Sequence, residues 1–249
     1  MYDIFRKISL KRLAGALADL VLPRCCCVCG RPLDAGESHI CLECLCDLPY
    51  TYFWTGTHNP MADKYNARIR SDIPDGVEEG YGFAAALFYY NSESPYRHIP
   101  WSIKYGGALH TGRYFARMLG DRLAASPGFA DVDAVVCVPL HWRRRLSRGY
   151  NQSEVIASGV AGRLGAAFHP RALRRVRYSR SQTFMSMRKK ASNVSDAFQA
   201  TASFEAHHIL VVDDTFTTGS TLAACRKALR EYFPPSVRIS VATLAYVGP

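Results

Sequence analysis

The sequence predicts an α/β domain around a mainly parallel sheet, with a small cysteine-rich module ahead of it. Two observations carry the domain. Short, uniformly apolar stretches such as Ala134–Val138 and Ile209–Val212 suit strands covered on both faces. Longer segments of helical period alternate with them. A third observation carries the module: seven of the nine cysteines lie between Cys25 and Cys46.

In chain order, residues 3–21 read as an amphipathic helix, with Ile4, Phe5, Ile8, Leu13, Leu17 and Leu20 at roughly helical spacing among Arg6, Lys7, Lys11 and Arg12. Residues 23–50 form the cysteine module, which has too few aliphatics for a core of its own. Residues 51–80 are read as a linker or long loop, since 55–80 are rich in Asp, Asn, Gly and Pro. The domain spans 81–249. Phe83–Tyr90 predicts a strand, Pro95–Tyr105 and Thr111–Ala125 helices, and Ala134–Val138 a strand. Asn151–Leu164 predicts a helix and Leu173–Tyr178 a strand, while 179–197 is polar and aperiodic. Ile209–Val212, Ser220–Phe233 and Val237–Tyr246 then predict strand, helix and strand.

At 249 residues and 48% hydrophobic content, the chain is not a disordered tail. No apolar run reaches the roughly 18 residues a transmembrane helix requires; Asp19 interrupts the nearest one, 13–22. No small-residue cleavage site follows it. The expectation is a cytoplasmic protein that is not integral to a membrane. The formal net charge is +10, and 134–195 alone carry thirteen Lys/Arg against Glu154. The remaining residues sum to −2, so one segment is basic rather than the whole chain. Such a segment suits a phosphorylated ligand or nucleic acid.

Disulfides are rare in the cytoplasm, so the cysteines call for another role. Cys26-x-x-Cys29, followed by Gly30, and Cys41-x-x-Cys44 can each present two thiolates from a tight turn. Two such turns complete a tetrahedral zinc site. Cys25 could replace Cys26 in that register. With four thiolates no position is left open for catalysis, so the zinc is expected to be structural. Cys137 and Cys225 fall on apolar patterns and are expected in the core, and His207 and His208 are expected at the surface.

The sharpest signal is Ile209-Leu-Val-Val-Asp213-Asp214-Thr215-Phe216-Thr217-Thr218-Gly219-Ser220-Thr221. A buried strand ends in two acids, a run of hydroxyls and a glycine follows, and a helix begins. Backbone N–H groups at a helix start donate to phosphate. Carboxylates accept from vicinal sugar hydroxyls or hold a divalent cation. A sugar 5-phosphate satisfies both halves. There is no Gly-Lys-Ser/Thr, so this is not a Walker loop.

The stretch from Val211 to Thr221 resembles the phosphoribosyl-pyrophosphate (PRPP) motif of type I phosphoribosyltransferases. More narrowly, the whole chain is similar to the competence protein ComF family, also called GntX-like. The likeness rests on the cysteine module, Ile103-Lys104-Tyr105-Gly106, Val138-Pro139-Leu140-His141 with Arg143–Arg145, Arg148-Gly149-Tyr150-Asn151-Gln152, Ser181-Gln182, Asn193, Ala197-Phe198 and the final motif. It implies a Rossmann-like phosphoribosyltransferase domain behind a zinc-ribbon-like module with four cysteine ligands, Cys26, Cys29, Cys41 and Cys44. It implies catalytic Asp213 and Asp214 on the ribose hydroxyls, helping to place Mg2+. Thr215, Thr217, Thr218, Gly219, Ser220 and Thr221 would wrap the 5-phosphate. Pro139, Leu140, His141 and Arg143 would hold pyrophosphate, and 179–197 would form a flap. Lys189-Lys190-Ala191-Ser192 and Ser195-Asp196 depart from the family's more Arg-rich flap.

The reaction expected of such a chain is displacement of pyrophosphate from the ribose anomeric carbon, in a transferase whose acceptor no residue names. The alternative is a non-catalytic module handling single-stranded DNA in natural transformation and DNA uptake, with competence-machinery proteins as partners. Trp142 and Tyr150 beside the arginines would then stack bases. A third reading is an interaction protein whose zinc module recruits a partner.

Overall fold

A computed structural model describes residues 23–71, 80–176, 197–201 and 203–248. The expected helix over 3–21 and all but the last residue of the expected flap over 179–197 lie outside them. The chain divides into two compact units, Met1–Leu48 and Pro49–Pro249.

In the first unit, two turns and the short helix α1 (Leu42–Cys46) surround the cysteines. Its apolar interior is small: Val28, Ile40 and Leu48 join the buried Cys26 and Cys41. Glu37 orders the intervening loop. Its carboxylate accepts from the Asp34 and Leu42 amides at 2.9 and 2.7 Å and pairs with Arg31 at 2.6 Å.

The second unit begins with a difference from the sequence reading. The stretch expected as a linker, 51–80, contains a packed helix, α2 (Pro60–Arg70). Asn59 caps it by accepting from the Met61 and Ala62 amides, and Pro60 takes the first helical position, where no N–H is needed. Met61, Ala62, Tyr65, Asn66 and Ile69 make the buried stripe. Asn66 belongs there because its amide satisfies the Gly82 backbone in both directions.

Next come β1 (Ala84–Tyr90), α3 (His98–Tyr105), α4 (Leu109–Ala124), β2 (Ala134–Cys137), α5 (Trp142–Arg148), α6 (Gln152–Leu164) and β3 (Ala167–Phe168). An antiparallel pair, β4 (Leu173–Arg175) and β5 (Phe198–Ala200), precedes β6 (His208–Phe216), α7 (Ser220–Leu229) and β7 (Arg238–Val247). The main sheet has five strands, all parallel, in the order β1-β7-β6-β2-β3. The expected α/β domain with a parallel, Rossmann-like sheet is therefore present. Its core is the buried run of β6 and β7 flanked by β1 and β2. Cys137 and Cys225 are buried as expected.

The strand order positions the site. From β2 the chain crosses to β3 on one side, whereas from β6 it crosses to β7 on the other. Right-handed crossovers in opposite directions place their helices on opposite faces. Accordingly α6 packs with α4, and α7 packs with α2. The point of reversal lies between the neighbouring strands β2 and β6, and a crevice opens there at their carboxyl ends.

His208, expected at the surface, is instead 1% exposed at the amino end of β6. Its Nδ1 meets Asp131 Oδ1 and its Nε2 meets Ser240 Oγ, both at 2.7 Å. Ser240 Oγ also accepts from the Phe83 amide at 3.1 Å. The Asp–His–Ser sequence of contacts looks like a hydrolase triad. Ser240 is fully buried and faces no cleft, so the chain of bonds instead clamps β6 to β7 and to the start of β1.

Candidate functional site

The four-cysteine cluster is drawn together as expected. The sulfurs of Cys26, Cys29, Cys41 and Cys44 lie within 4.8 Å of one another, and Cys29 Sγ is 3.8 Å from Cys41 Sγ. A tetrahedron with Zn–S of about 2.3 Å has S···S edges of about 3.8 Å. The Val28 and Cys41 amides donate to Cys26 Sγ, and the Cys44 amide donates to Cys41 Sγ, each at 3.4 Å. Such donors favour thiolate over thiol. Burial pushes the Cys41 thiol up, but the Cys44 amide and the Arg31 guanidinium outweigh it and bring it down to about 6. The set fits a structural zinc ion. Cys25 is exposed and its thiol points to the Pro23 carbonyl, which settles the register on Cys26.

The crevice between β2 and β6 holds the two expected phosphate motifs side by side. Cys137 of β2 pairs with Val212 of β6, and the Val138 amide donates to the Val212 carbonyl at 3.0 Å. The turn Pro139–His141 therefore runs beside Asp213 and Asp214. Asn151, buried at the start of α6, caps that helix through the Ser153 amide. It also ties the helix to β2 by donating to the Val138 carbonyl at 3.0 Å.

Asp213 is half-buried, and its Oδ1 accepts from Ser153 Oγ at 2.6 Å and from the Asp214 amide at 2.8 Å. Asp214 is 5% exposed. Its Oδ1 pairs with Lys104 Nζ at 3.1 Å, while its Oδ2 is buried with no hydrogen-bond partner. Burial, and then the neighbouring Asp214 charge, push Asp213 up to about 7 against the pull of Ser153. For Lys104, burial acts to lower the ammonium, but Asp214 and then Asp213 outweigh it and hold it above its ordinary value. The sequence reading assigns neither Lys104 nor Ser153 a role. Lys104 lies 111 residues from Thr215, whose Oγ1 it approaches at 3.4 Å, and Ser153 lies 60 from Asp213.

After β6, Thr217, Thr218 and Gly219 turn the chain into α7. Gly219 is at φ +76°, and a Cβ there would lie 2.8 Å from the Phe216 ring. Only glycine makes this turn without displacing Phe216, and as the N-cap it brings no capping side chain. Thr218 and Ser220 hydroxyls meet at 3.0 Å on the rim. Thr215 and Thr221 are half-exposed alongside. The amino end of α7 thus opens beside the acids.

The other residues expected to bind phosphate lie at the start of α5 and just before it. His141 is buried and its Nδ1 accepts from the Arg143 amide at 3.3 Å, so the imidazole caps α5. Burial, helped by Arg175, Arg143 and Arg144, keeps it below its ordinary value and neutral. Arg143 lies over the Trp142 ring, 5.2 Å from its centroid. Arg144 and Arg148, further along α5, face a cavity beside Lys104. Trp101, Tyr105 and Trp142 are exposed nearby.

The acids do not form a divalent-cation site by themselves. Lys104 occupies one Asp214 oxygen, the other is buried, and one Asp213 oxygen already takes two donors. Among the described residues, the cysteine cluster alone brings three or more such ligands together. No helix of the described residues is long and apolar enough to cross a membrane.

No family model matches the chain. It is 36% identical over 104 residues to the DNA utilization protein YhgH of Salmonella typhi, covering 42% of this chain and 46% of that one. To the protein of the same name in Escherichia coli K12 it is 35% identical over 97 residues, covering 39% and 43%. To Competence protein F of Haemophilus influenzae it is 31% identical over 102 residues, covering 40% and 44%. The matched region is thus under half the length of these curated relatives. Among solved structures, a glutamine PRPP amidotransferase from B. subtilis, complexed with ADP and GMP, aligns at TM-score 0.37 and 20% identity. That alignment covers 57% of this chain and 30% of the other, a likeness too slight to transfer a ligand.

Proposed function

We propose that this chain is a phosphoribosyltransferase-like protein of the ComF kind, which binds a ribose 5-phosphate moiety, as in PRPP, in the crevice between β2 and β6. The observation that carries this reading is the acid pair at the carboxyl end of β6, half-exposed Asp213 and Lys104-paired Asp214, followed by the hydroxyl-rich turn into α7. A ligand hydroxyl donating to the half-exposed Asp213 carboxylate contributes about 1.5–3 kcal/mol. A few positions downstream, Gly219 and the first turn of α7 offer N–H donors to a phosphate. A ribose with its 5-phosphate supplies the hydroxyls and the anion from one molecule.

Calorimetric titration of PRPP with Mg2+ tests this. Saturable binding is expected in zinc-replete protein, and an Asp213→Asn/Asp214→Asn variant that keeps its fold should lose it. A folded wild type that does not bind removes the reading.

A second reading is favoured by the relatives' names and by one surface feature. Exposed Trp101, Tyr105 and Trp142 alternate with Arg97, Arg143 and Arg148. Stacking platforms among cations suit single-stranded DNA. Competence-machinery proteins would be its partners in DNA uptake. Affinity for an oligothymidylate should then fall steeply with salt, about two decades or more between roughly 50 and 200 mM for several phosphate contacts. Binding indifferent to salt would exclude this mode.

A further inference from the structure

We infer that the groove along the outer side of α6, walled by Arg113, Arg117, Arg145 and Arg163, is a second anion site, for a nucleoside polyphosphate. It does not depend on the ribose reading. Ser153 of α6 faces Asp213, whereas Glu154, Val155, Ser158 and Gly162 line the groove, so the helix stands between the two sites. The cavity has a volume of about 730 Å3, within the range of small-molecule sites. It follows α6 from Asn151 to Gly162, about 16 Å at the rise of a helix.

Four arginines line the groove against a single carboxylate, Glu154. Arg145 reaches Glu154 at 3.6 Å, and Arg163 pairs with Asp121, which stands outside the walls. Arg113 and Arg117 are exposed on α4, and no ion pair joins either to a described residue. Like charges four apart on a helix destabilise it. Two more guanidinium groups line the same groove, so its walls repel one another and a polyanion relieves that repulsion. Guanidinium forks grip phosphate oxygens two at a time.

Small residues bring the arginines together. A Cβ on Gly159 would lie 2.6 Å from Ala116 Cβ, and one on Gly120 would lie 2.7 Å from Arg163 Cβ. Glycine at both positions lets α4 close on α6, which carries Arg113 and Arg117 to the edge of the groove. The floor is low, formed by Val155, Ser158, Gly159 and Gly162, and a Cβ on Gly162 would meet nothing within 4 Å. Phe168, half-exposed at the end of β3, adds a ring among the cations. Phosphates on the arginines and a base against Phe168 fill the groove from one molecule. A nucleic-acid strand stacks successive bases on several rings. The exposed rings Trp101, Tyr105 and Trp142 do not line this groove, which favours a single nucleotide.

The test is calorimetry on the full, zinc-replete chain with ATP, GTP and inorganic triphosphate. At least one nucleotide should bind the wild type, and more tightly than inorganic triphosphate. Arg113→Ala/Arg117→Ala should weaken it about tenfold or more. Glu154→Gln, which removes the one carboxylate, should strengthen it about threefold or more. Phe168→Leu should weaken the nucleotide and leave inorganic triphosphate unchanged. Asp213→Asn/Asp214→Asn should leave nucleotide binding unchanged. Circular dichroism confirms that each variant folds. Absence of binding by both nucleotides, or binding indifferent to Arg113 and Arg117, overturns the site. Loss of binding in the Asp213 and Asp214 variant also overturns it, by placing the nucleotide in the crevice. Inorganic triphosphate binding as tightly as either nucleotide overturns the nucleoside half of the assignment. Displacement of the nucleotide by oligothymidylate at equal phosphate concentration overturns the assignment in favour of a nucleic-acid track.

Discussion

Removal of zinc from the cysteine module should unfold residues 23–48 and leave the thermal transition of the second unit in place. The physical reason is the size of the two cores. The module buries Val28, Ile40 and Leu48 and little else that is apolar beyond its own cysteines. So few aliphatic side chains are too small a core to order the module by themselves. A structural zinc ion supplies about 10–16 kcal/mol. The second unit has its own five-stranded sheet and helices on both faces. Elemental analysis of reduced protein should give one zinc per chain. Cys41→Ser, at a fully buried ligand, should lose it and become protease-sensitive between Arg24 and Leu48, while Cys46→Ser, at an exposed cysteine, behaves as wild type. A zinc-free, reduced protein whose module still resists protease would show that the sulfurs serve something other than a metal.

The parts of this fold that can be read from sequence are those governed by local pattern. Val211 and Val212 leading into Asp213, Asp214 and the hydroxyl run announce a buried strand, its end and a helix start within a short stretch. The paired C-x-x-C spacing likewise fixes a geometry by itself. What escapes the reading depends on contacts distant in sequence. The stripe of α2 includes Asn66, a polar residue buried only because Gly82 comes back to meet it. The sequence Trp142–Arg148 buries no residue, its Trp142 and Leu146 sharing an exposed face, and α5 forms because His141 caps its start and Gly149 ends it at φ +78°. The Asn59-Pro60 pair is a local signal for α2, masked by the polar composition around it.

The same distinction runs through the site. Asp213 and Asp214 are legible because adjacent acids at a strand end are unusual. Lys104 and Ser153 are not, because only the fold brings α3 and α6 to the end of β6. Together they divide the acids into two roles. Lys104 pairs with Asp214 at 3.1 Å. Ser153 donates to Asp213, whose hydrogen bonds come from neutral groups. The pair is thereby a matched set of acceptors, Asp214 held against the Lys104 ammonium and Asp213 raised by burial and its neighbour to about 7.

Asp213→Asn should therefore raise the stability of the ligand-free chain and lower its affinity for a ribose phosphate. Asp213 faces Asp214, Lys104 and the Ser153 hydroxyl. Burial and Asp214 lift it from 3.8 to about 7. The folded state then holds a proton that the unfolded chain releases. Stability conferred by that proton is complete below about pH 4 and is lost as pH rises through 7. An asparagine keeps the oxygen that accepts from Ser153 and the Asp214 amide, and adds an amide donor next to Asp214. At about pH 8 the variant should gain about 1–2 kcal/mol, a few degrees in Tm, with the gain vanishing towards about pH 4. Affinity should fall about ten- to a hundredfold at that higher pH, because a charge-assisted acceptor becomes a neutral one. Wild-type affinity should climb between about pH 6 and 8 as Asp213 ionises, and the variant's should stay flat. A site that binds sugar hydroxyls is strained without them, so stability and affinity move in opposite directions. If Asp213→Asn lowers both together, the carboxylate is a structural bond to Ser153 and the ribose assignment passes to Asp214 alone.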